Sequence, residues 1–510
     1  MARERGLRAG RRASRGGDVK QLDWRQPVNP YKPIDVLTDE QLEAIHQTSL
    51  SILEEIGMDF LHPAALELLA KAGAEVTPGS TRVRLDRGLV LEAIKTVPSE
   101  VTLHARNPER NLRLGGNAIM FASVASTPNA SDLDRGRRPG NQVDFRNLLR
   151  LSQTFNIIHC LGGYPVEPVD LPPETRHLDC LADFVRLTDK VFHAYSLGSA
   201  RILDGIEIAR IARGVSVEQL HREPSLFSII NTSSPLRLDG PMIEGLIAMA
   251  EANQVVILTP FTLSGAMAPA TLAGALAQQN AEALAGIALT QLVKPGAPVV
   301  YGGFTSNVDM KSGAPAFGTP EYTRAAMAGG QLARRYGFPY RSSNANASNR
   351  ADAQAAYESQ MSIWGAVMGH ANLLMHGAGW IEGGLTASFE KVILDVEMLQ
   401  SMSEFLQPIE VTENSLGLEA VREVGPGGHF FGAQHTLERY ETAFYQPILS
   451  DWRNFETWEE AGSQTATERA NGLFKRALAA YEAPPLDPAI DEELTAFVET
   501  RREEGGAPPL

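Results

Sequence analysis

Aromatic side chains recur at the ends of short apolar runs of this chain, or directly after them. Rings attract a cation that has no hydrogen-bond donors, and each well-placed ring contributes about 0.5–2 kcal/mol. A site that is rich in rings and poor in charged groups therefore suits a quaternary ammonium. The plain alternative is that the rings only fill the rim of the fold. The rings that we predict to surround the cation are Tyr164, Tyr195, Phe304 and Trp380.

Amide and imidazole groups lie at the ends of other runs of the same kind. We predict that Asn231, Asn344 and His376 position a carboxylate or another polar end of the same ligand, although asparagine also caps turns. General acid–base chemistry needs a carboxylate or a histidine of tuned pKa, and few are available here. Glu382 or His376 would be the base in a second possibility, a lyase or isomerase that acts on a small carboxylate.

Two loop segments add charge or glycine without completing a metal site. The loop 131–140 carries Arg135 and Arg138, which either pair with the aspartates beside them or face a partner protein. His429 lies in a glycine-rich segment six residues before His435, a spacing that does not suit a helical zinc pair. We therefore predict no metal ligands, and we predict that Arg135, Arg138 and His429 face a partner.

Eight apolar runs, about 35 residues apart, position these side chains. Buried parallel strands are continuous apolar runs, and helices of this spacing join them by right-handed crossovers. Eight such units close into a (β/α)8 TIM barrel, an α/β fold whose chemistry lies just after each strand. The runs are 119–123, 157–162, 192–197, 226–231, 255–260, 299–304, 340–345 and 373–378.

The barrel is predicted to be one of four parts of the chain. The parts are a disordered basic tail at 1–20, an N-terminal α+β lobe at 21–115, the barrel at 116–402 and a C-terminal helical extension at 403–510. The charged end of the extension, 487–510, is expected to fray. The helices expected in the extension are Thr436–Tyr445, Asn454–Glu459, Thr465–Tyr481 and Asp491–Arg501.

The composition excludes several classes of function. Acidic residues outnumber basic ones 61 to 46, which argues against nucleic-acid binding. No apolar run reaches the about 18 to 20 residues that a membrane-spanning helix needs. Cys160 and Cys180 both lie in apolar stretches, so we expect them to be reduced and buried, as in a cytoplasmic protein.

Several long segments connect the chain to a known family. They include FASVASTPNASDLDRGRRPG (121–140), VYGGFTSNVDMKSGAPAFGTPE (300–321), GAGWIEGGLTASFEK (377–391) and GPGGHFFGAQHT (425–436). On these and shorter segments the chain resembles the trimethylamine methyltransferase family. The resemblance implies a barrel that holds a methylated amine. It also implies a methyltransferase that works with cobalamin carried by a separate corrinoid protein, with no cofactor bound tightly to this chain.

The resemblance also narrows the substrate. Archaeal trimethylamine enzymes of this family carry pyrrolysine, whereas this chain has standard residues at all 510 positions. A quaternary ammonium already bears the charge that lets its amine leave neutral, so it needs no covalent activator. The resemblance therefore implies transfer of a methyl group from glycine betaine, or a related betaine, to the Co(I) of the partner's corrinoid. Trimethylamine or another methylamine as donor, and a non-catalytic betaine-binding subunit, are the alternatives.

The family resemblance further implies a homo-oligomer. Three Ala-rich segments predicted as helices are the surfaces that we expect to be buried between copies of the chain. They are Thr271–Leu292, Tyr322–Tyr336 and Asp352–Gly369.

Overall fold

Eight parallel strands form a closed barrel in the computed structural model, which describes residues 19–508. Each strand pairs with the next along the chain, and the eighth pairs with the first through Leu373 and Met120. Every predicted apolar run overlaps one of these strands, so the predicted TIM barrel is confirmed. Strands one to eight are Met120–Ser123, Cys160–Leu161, Val191–His193, Leu226–Thr232, Val255–Ser264, Val299–Gly302, Tyr340–Ser343 and Leu373–Ala378.

A helix follows every strand and covers the outside of the barrel. Asn141, Thr271 and Ser388 each accept a backbone N–H from the first turn of the helix that follows. Such caps satisfy N–H groups that have no partner within the helix, which helps each helix to start directly after its loop. The helices are Gln142–Thr154, Arg176–Leu187, Ser199–Arg213, Gly240–Glu251, Leu272–Val293, Pro320–Tyr336, Ala353–Met368 and Phe389–Phe405, with Val217–Arg222 added after the third.

A β-hairpin closes the barrel at the amino-terminal ends of its strands. It pairs Glu100–Leu103 with Leu112–Gly115. Its Leu103 and Leu112 belong to the same buried apolar cluster as Phe227, which lies inside the barrel. The opposite end, formed by the carboxyl ends of the strands and the loops that follow them, is the mouth of the barrel. A ligand therefore has to enter from the mouth.

An N-terminal lobe packs on the longest helix of the barrel. Its sheet takes one strand, Arg237–Leu238, from the loop after strand four. The lobe covers Leu272–Val293, and 17 of the 22 residues of that helix are buried within the chain. This helix is therefore not the oligomer surface that we expected of Thr271–Leu292. The elements of the lobe are the helices Asp39–Ser51, Pro63–Lys71 and Arg87–Ala93, the π-helical turn Ile52–Ile56, and the strands Met58–Phe60, Glu75–Val76 and Arg82–Arg84.

Two small sheets stand above the mouth. Strand five continues past the barrel and pairs with Phe304–Val308, which is joined by a turn to Pro315–Ala316. The other sheet contains the hairpin of Asn129–Asp132 and Gly136–Pro139, next to Thr386–Ser388. The loop 131–140 therefore lies on the mouth side of the barrel.

The C-terminal extension is helical but differs from prediction in two places. The predicted helix Thr436–Tyr445 is only the short turn Gln434–Leu437, and Tyr440 is 79% exposed because no core lies beneath it. The end of the chain does not fray over 487–503, since it forms a helix whose Arg501 pairs with Asp204. The helices are Glu413–Leu416, Leu418–Val424, Gln434–Leu437, Phe455–Glu460, Ala466–Ala479 and Pro488–Glu503.

Three further expectations concern the chain as a whole. Within residues 19–508, no helix combines the length and the hydropathy that crossing a membrane requires. Cys160 and Cys180 are both buried free thiols, as predicted, and burial raises the pKa of Cys160 to about 12. The basic tail predicted for 1–20 lies outside the described residues except for its last two.

Candidate active site

The interior of the barrel loses its apolar filling toward the mouth. Side chains two apart on a strand point the same way, so Thr259 and Gly302 face the interior above Ile257 and Val300. A β-carbon at Gly302 would lie 2.2 Å from Thr259 Oγ1. Directly after strand two, a β-carbon at Gly162 would lie 2.6 Å from Ser123 O on strand one. At these two positions a glycine is required, because the neighbouring strand occupies the place of a side chain.

Arg341 brings a positive charge into this upper interior. Its register partner on strand eight is Leu373, which belongs to the cluster inside the barrel, so Arg341 also points inward. The residue is 2% exposed, and its one acceptor among residues 19–508 is Gly303 O, which lies 3.4 Å from Nη1. Its Nε has no hydrogen-bond partner, and no carboxylate of residues 19–508 pairs with the guanidinium.

Burial lowers the pKa of Arg341 to about 10, because the guanidinium leaves water and gains no carboxylate. The group is still charged at neutral pH. An unpaired cation inside a protein is costly, whereas a guanidinium matched to a carboxylate forms two parallel hydrogen bonds. Arg341 therefore provides a position prepared for an anionic group. We did not identify it from the sequence, although an arginine within the buried run 340–345 was a usable signal.

Aromatic rings converge above Arg341. The guanidinium carbon lies 5.5 Å from the centre of the Phe304 ring. The Phe304 ring lies 6.4 Å from that of Trp380 and 5.3 Å from that of Phe317. Trp380 stacks on His376 with the ring centres 5.2 Å apart. The structure thus brings together three of the predicted residues, and it adds Phe317, which the sequence did not single out.

Tyr164 and Tyr195 form a separate cluster on the side of strands two and three. Their ring centres are 4.7 Å apart. The ring of Tyr164 packs outward on Phe145 and Phe184, which belong to the surrounding helices. Neither tyrosine is among the ring contacts of Phe304 in the described part of the chain. The four rings predicted to surround one cation are therefore divided between two places.

Both histidines of the upper interior are neutral. Ile229 N donates to His193 Nε2, so the proton of that ring lies on Nδ1, which donates to Gly162 O at 2.8 Å. Burial lowers the pKa of His193 to about 4, and it lowers the pKa of His376 well below its ordinary value. Histidines with such low pKa values are weak bases at neutral pH.

Several polar atoms at the mouth lack a partner. Of the 14 buried side-chain polar atoms without a hydrogen bond in residues 19–508, six lie at or just after strands five, seven and eight. Buried polar groups are normally paired, so a cluster of unpaired ones marks a place for a polar ligand or for water. The six atoms are Thr259 Oγ1, Arg341 Nε, Ser343 Oγ, Asn344 Oδ1, Asn346 Oδ1 and His376 Nδ1.

Comparison with known proteins agrees with the resemblance seen in the sequence. The family model for trimethylamine methyltransferase (MTTB) matches residues 3–506 of this chain. The chain belongs to this methyltransferase family. Glycine betaine methyltransferase of Desulfitobacterium hafniense (strain Y51) is 38% identical over 473 residues, which cover 92% of this chain and 98% of that protein. Trimethylamine methyltransferase MttB of Desulfitobacterium hafniense (strain DSM 10664 / DCB-2) is 30% identical over 472 residues, or 92% and 94% of the two chains.

In this methyltransferase a buried ion pair supports the loop after strand eight. Lys391 and Asp395 pair within the helix that follows, and both side chains are fully buried. Asp395 accepts from Gly379 N at 2.8 Å, and Lys391 donates to Ser359 Oγ at 2.9 Å. The φ angles of His376 and Gly379 are +55° and +110°. A positive φ is strained for a histidine, so this segment needs such support.

The predicted asparagines have different surroundings. Asn344 donates to Gly377 O at 3.0 Å, and Asn346 donates to Trp380 O at 2.6 Å, so both hold the loop after strand eight. The atom of Asn344 that has no partner is its carbonyl oxygen, which is an acceptor and does not bind a carboxylate. Asn231 is exposed at the end of strand four. Arg341 is therefore a better partner for the carboxylate of a ligand than any of these asparagines.

The arginines predicted to face a partner protein are held by aspartates. Arg135 Nη2 lies 2.9 Å from Asp132 Oδ2, and Arg138 Nε lies 2.7 Å from Asp144 Oδ2. The side chain of Arg138 is 17% exposed, whereas that of Arg135 is 52% exposed. These contacts match the ion-pair alternative for the loop 131–140. The half-exposed Arg135 is still able to contact a partner at the rim of the mouth.

Glu382 does not have the properties of a general base. Arg137 Nε donates to its carboxylate at 2.9 Å, and Thr386 Oγ1 donates as well. Although burial opposes them, these two hydrogen bonds lower the pKa of Glu382. Glu382 is paired, and the low pKa of His376 makes it a weak base, so neither residue suits the lyase or isomerase that we considered from the sequence.

His429 lies in an arm formed by residues 406–447. The arm leaves the barrel after Phe405, which contacts Tyr31 and Trp364 at the end opposite the mouth. The arm returns to the barrel at Leu449, whose N–H donates a hydrogen bond to the carboxylate of Glu397. Contact between His429 and a partner therefore stays a prediction. Across the described chain, no three His, Cys, Asp or Glu side chains converge as metal ligands.

Proposed function

We propose that this chain takes a methyl group from glycine betaine, or a closely related betaine, and passes it to the corrinoid of a partner protein. The observation that carries the proposal is the buried guanidinium of Arg341, which pairs with no carboxylate of residues 19–508. A betaine joins a carboxylate and a trimethylammonium group in one small molecule. Arg341 would pair with the carboxylate, while Phe304 and Trp380 would lie against the trimethylammonium group.

Arg341 also favours a betaine over trimethylamine and over simple quaternary ammonium ions. A ligand with a positive charge alone would meet a second positive charge in a place with little water, where repulsion is strong. A betaine is neutral overall and brings its own counter-charge. The identity with a glycine betaine methyltransferase, 38%, compared with 30% for a trimethylamine methyltransferase, supports the same choice.

The corrinoid would supply a nucleophilic cobalt when the partner protein is docked at the mouth. The part played by this chain is positional. Arg341 would fix one end of the betaine and the rings the other, so that one methyl group is held toward the mouth. Holding reactants in an aligned geometry removes an entropic part of the barrier. No proton has to move, which agrees with the neutral His193 and His376.

The experiment is a transfer assay with the full chain, free reduced cobalamin and a panel of amines. Dimethylglycine is measured by NMR when glycine betaine is the donor, and the panel contains choline, tetramethylammonium and trimethylamine. We expect glycine betaine to react at least about tenfold faster than any of the others, a difference of about 1.4 kcal/mol in barrier. Equal rates for trimethylamine would refute the role of Arg341. Tight binding of betaine without any transfer would instead identify a non-catalytic binding subunit.

A further inference from the structure

A cleft of about 390 Å³ opens beside the mouth, between the loops after strands one, two and three. Sites for small organic ligands have volumes of about 300–1,000 Å³. Apolar groups form much of its wall, including Tyr164, Leu181, Tyr195 and Leu197. Tyr195 also contacts His193 in the barrel, with ring centres 4.6 Å apart. Tyr195 therefore lies between this rim cleft and the interior of the barrel.

One buried polar atom of the rim cleft has no partner. His177 is 3% exposed, its Nε2 lies 2.8 Å from Asp204 Oδ2, and its Nδ1 has no hydrogen bond within residues 19–508. Asp204 is held in place by Arg501, whose Nε donates to its other oxygen at 2.7 Å. The Asp204 carboxylate accepts a hydrogen bond from Nε2–H, so in the tautomer that carries its one proton on Nε2 the Nδ1 atom is an acceptor. A hydroxyl or amino donor of a ligand would satisfy it.

Arg201 gives the rim cleft a positive charge. Its Nη1 donates to Leu197 O at 3.2 Å, and within residues 19–508 it forms no ion pair. Arg176, by contrast, pairs with Glu167 at 2.6 Å, so these two charges offset each other. Arg201 lies in the first turn of Ser199–Arg213, a helix that begins without a side-chain cap. The first N–H of this helix is already matched, because Ser199 N donates to Glu244 Oε2 at 2.8 Å, so Arg201 is the group that attracts a ligand anion.

We propose that the rim cleft is a second ligand site, for a small carboxylate that has an apolar body and a hydroxyl or amino donor. The carboxylate pairs with Arg201, the apolar body lies against Tyr164 and Tyr195, and the donor reaches His177 Nδ1. 4-Hydroxybenzoate has all three features and serves as the probe. This site is independent of the proposed methyl transfer, because none of the groups above Arg341 takes part in it.

The test is calorimetric titration of the full chain with 4-hydroxybenzoate. We expect one site per chain with a Kd below about 1 mM. Benzoate lacks the donor and 4-methylphenol lacks the carboxylate, so each should bind at least about fivefold more weakly. R201Q should weaken the probe about tenfold or more, because it removes the cation but keeps a polar side chain at the exposed rim. R324Q is the matched control, since Arg324 is an exposed arginine near the start of another barrel helix, and it should bind normally.

Two further measurements separate this site from the one above Arg341. R341M should bind 4-hydroxybenzoate with unchanged affinity, and glycine betaine should not displace the probe. Displacement by glycine betaine, or loss of the probe in R341M, would place it inside the barrel and overturn the proposal. Absence of binding at about 10 mM probe, or equal binding by R201Q and the unmodified chain, would overturn it as well. A failure of methyl transfer alone would leave these results unchanged.

Discussion

Replacing Arg341 with methionine should stabilise the protein. Burial lowers the pKa of Arg341 to about 10, and the difference from its ordinary value corresponds to about 3 kcal/mol. At pH 7 the guanidinium is charged in both the folded and the unfolded chain, so the whole cost of burying the charge is present there. Methionine fills a similar volume without a charge. R341M should therefore raise the free energy of unfolding by up to about 3 kcal/mol.

The same substitution should impair binding of glycine betaine. Removing one member of a buried, hydrogen-bonded charge pair costs about 2–5 kcal/mol, which is about 30- to 5,000-fold in Kd. Tetramethylammonium has no carboxylate, so R341M should bind it as well as the unmodified chain or better, because a repulsion has been removed. R341K keeps the charge but loses the planar fork, and it should lose less betaine affinity than R341M.

Urea unfolding measures the first effect and calorimetric titration the second. We expect R341M to be more stable than the unmodified chain and to bind betaine more weakly. A structural arginine would give the other pattern, in which R341M is less stable and binds betaine and tetramethylammonium equally poorly. That pattern would refute the assignment of Arg341 as the carboxylate partner.

Three other perturbations test the surroundings of this group. W380L should raise the KM for glycine betaine about tenfold, because a desolvated cation–π contact contributes about 1–2 kcal/mol. K391M leaves Asp395 unpaired and should lower the free energy of unfolding in urea by about 3–5 kcal/mol, part of which K391M/D395N should recover. His193 has a pKa of about 4 in the fold, so the unfolded chain binds more protons below pH 6.5. Stability should therefore fall by about 3 kcal/mol toward pH 4, and less in H193N.

Each of these results has a clear contrary outcome. An unchanged KM in W380L would show that the ring does not contact the ammonium group. If K391M kept full stability in urea, the buried pair would not hold the loop after strand eight. Identical pH profiles for H193N and the unmodified chain would mean that His193 is not the group that takes up a proton on unfolding.

The barrel strands were predictable because a strand buried on both faces leaves a continuous apolar run in the sequence. All eight runs overlapped an observed strand, even where only Cys160 and Leu161 are paired. The residues around the site were harder to predict from the sequence, because loops position them. Phe317 reaches Trp380 only through the hairpin that continues from Phe304–Val308, and no sequence period signals that turn.

The C-terminal extension shows how tertiary contacts decide a marginal helix. Thr436–Tyr445 has helix-forming residues, yet Tyr440 and Phe444 are each 79% exposed and the helix does not continue past Leu437. Pro488–Glu503 is highly charged, but Arg501 pairs with Asp204 and the chain stays helical. Most helical stability in proteins comes from packing rather than propensity, and packing partners are not visible in a local pattern.

The charge of Arg341 bears on the methyl transfer itself. In a betaine the positive nitrogen and the carboxylate are close together, so their interactions with the guanidinium partly offset. As the methyl group leaves, the nitrogen loses its charge while the carboxylate keeps its own. Repulsion between Arg341 and the nitrogen therefore falls along the reaction, while attraction between Arg341 and the carboxylate remains. Arg341 thus stabilises the transition state more than the bound substrate, which raises the rate. Acidic groups around the nitrogen would do the opposite, because they would stabilise the positive charge of the bound substrate. A buried arginine with no carboxylate beside it in residues 19–508 therefore suits demethylation of an ammonium group.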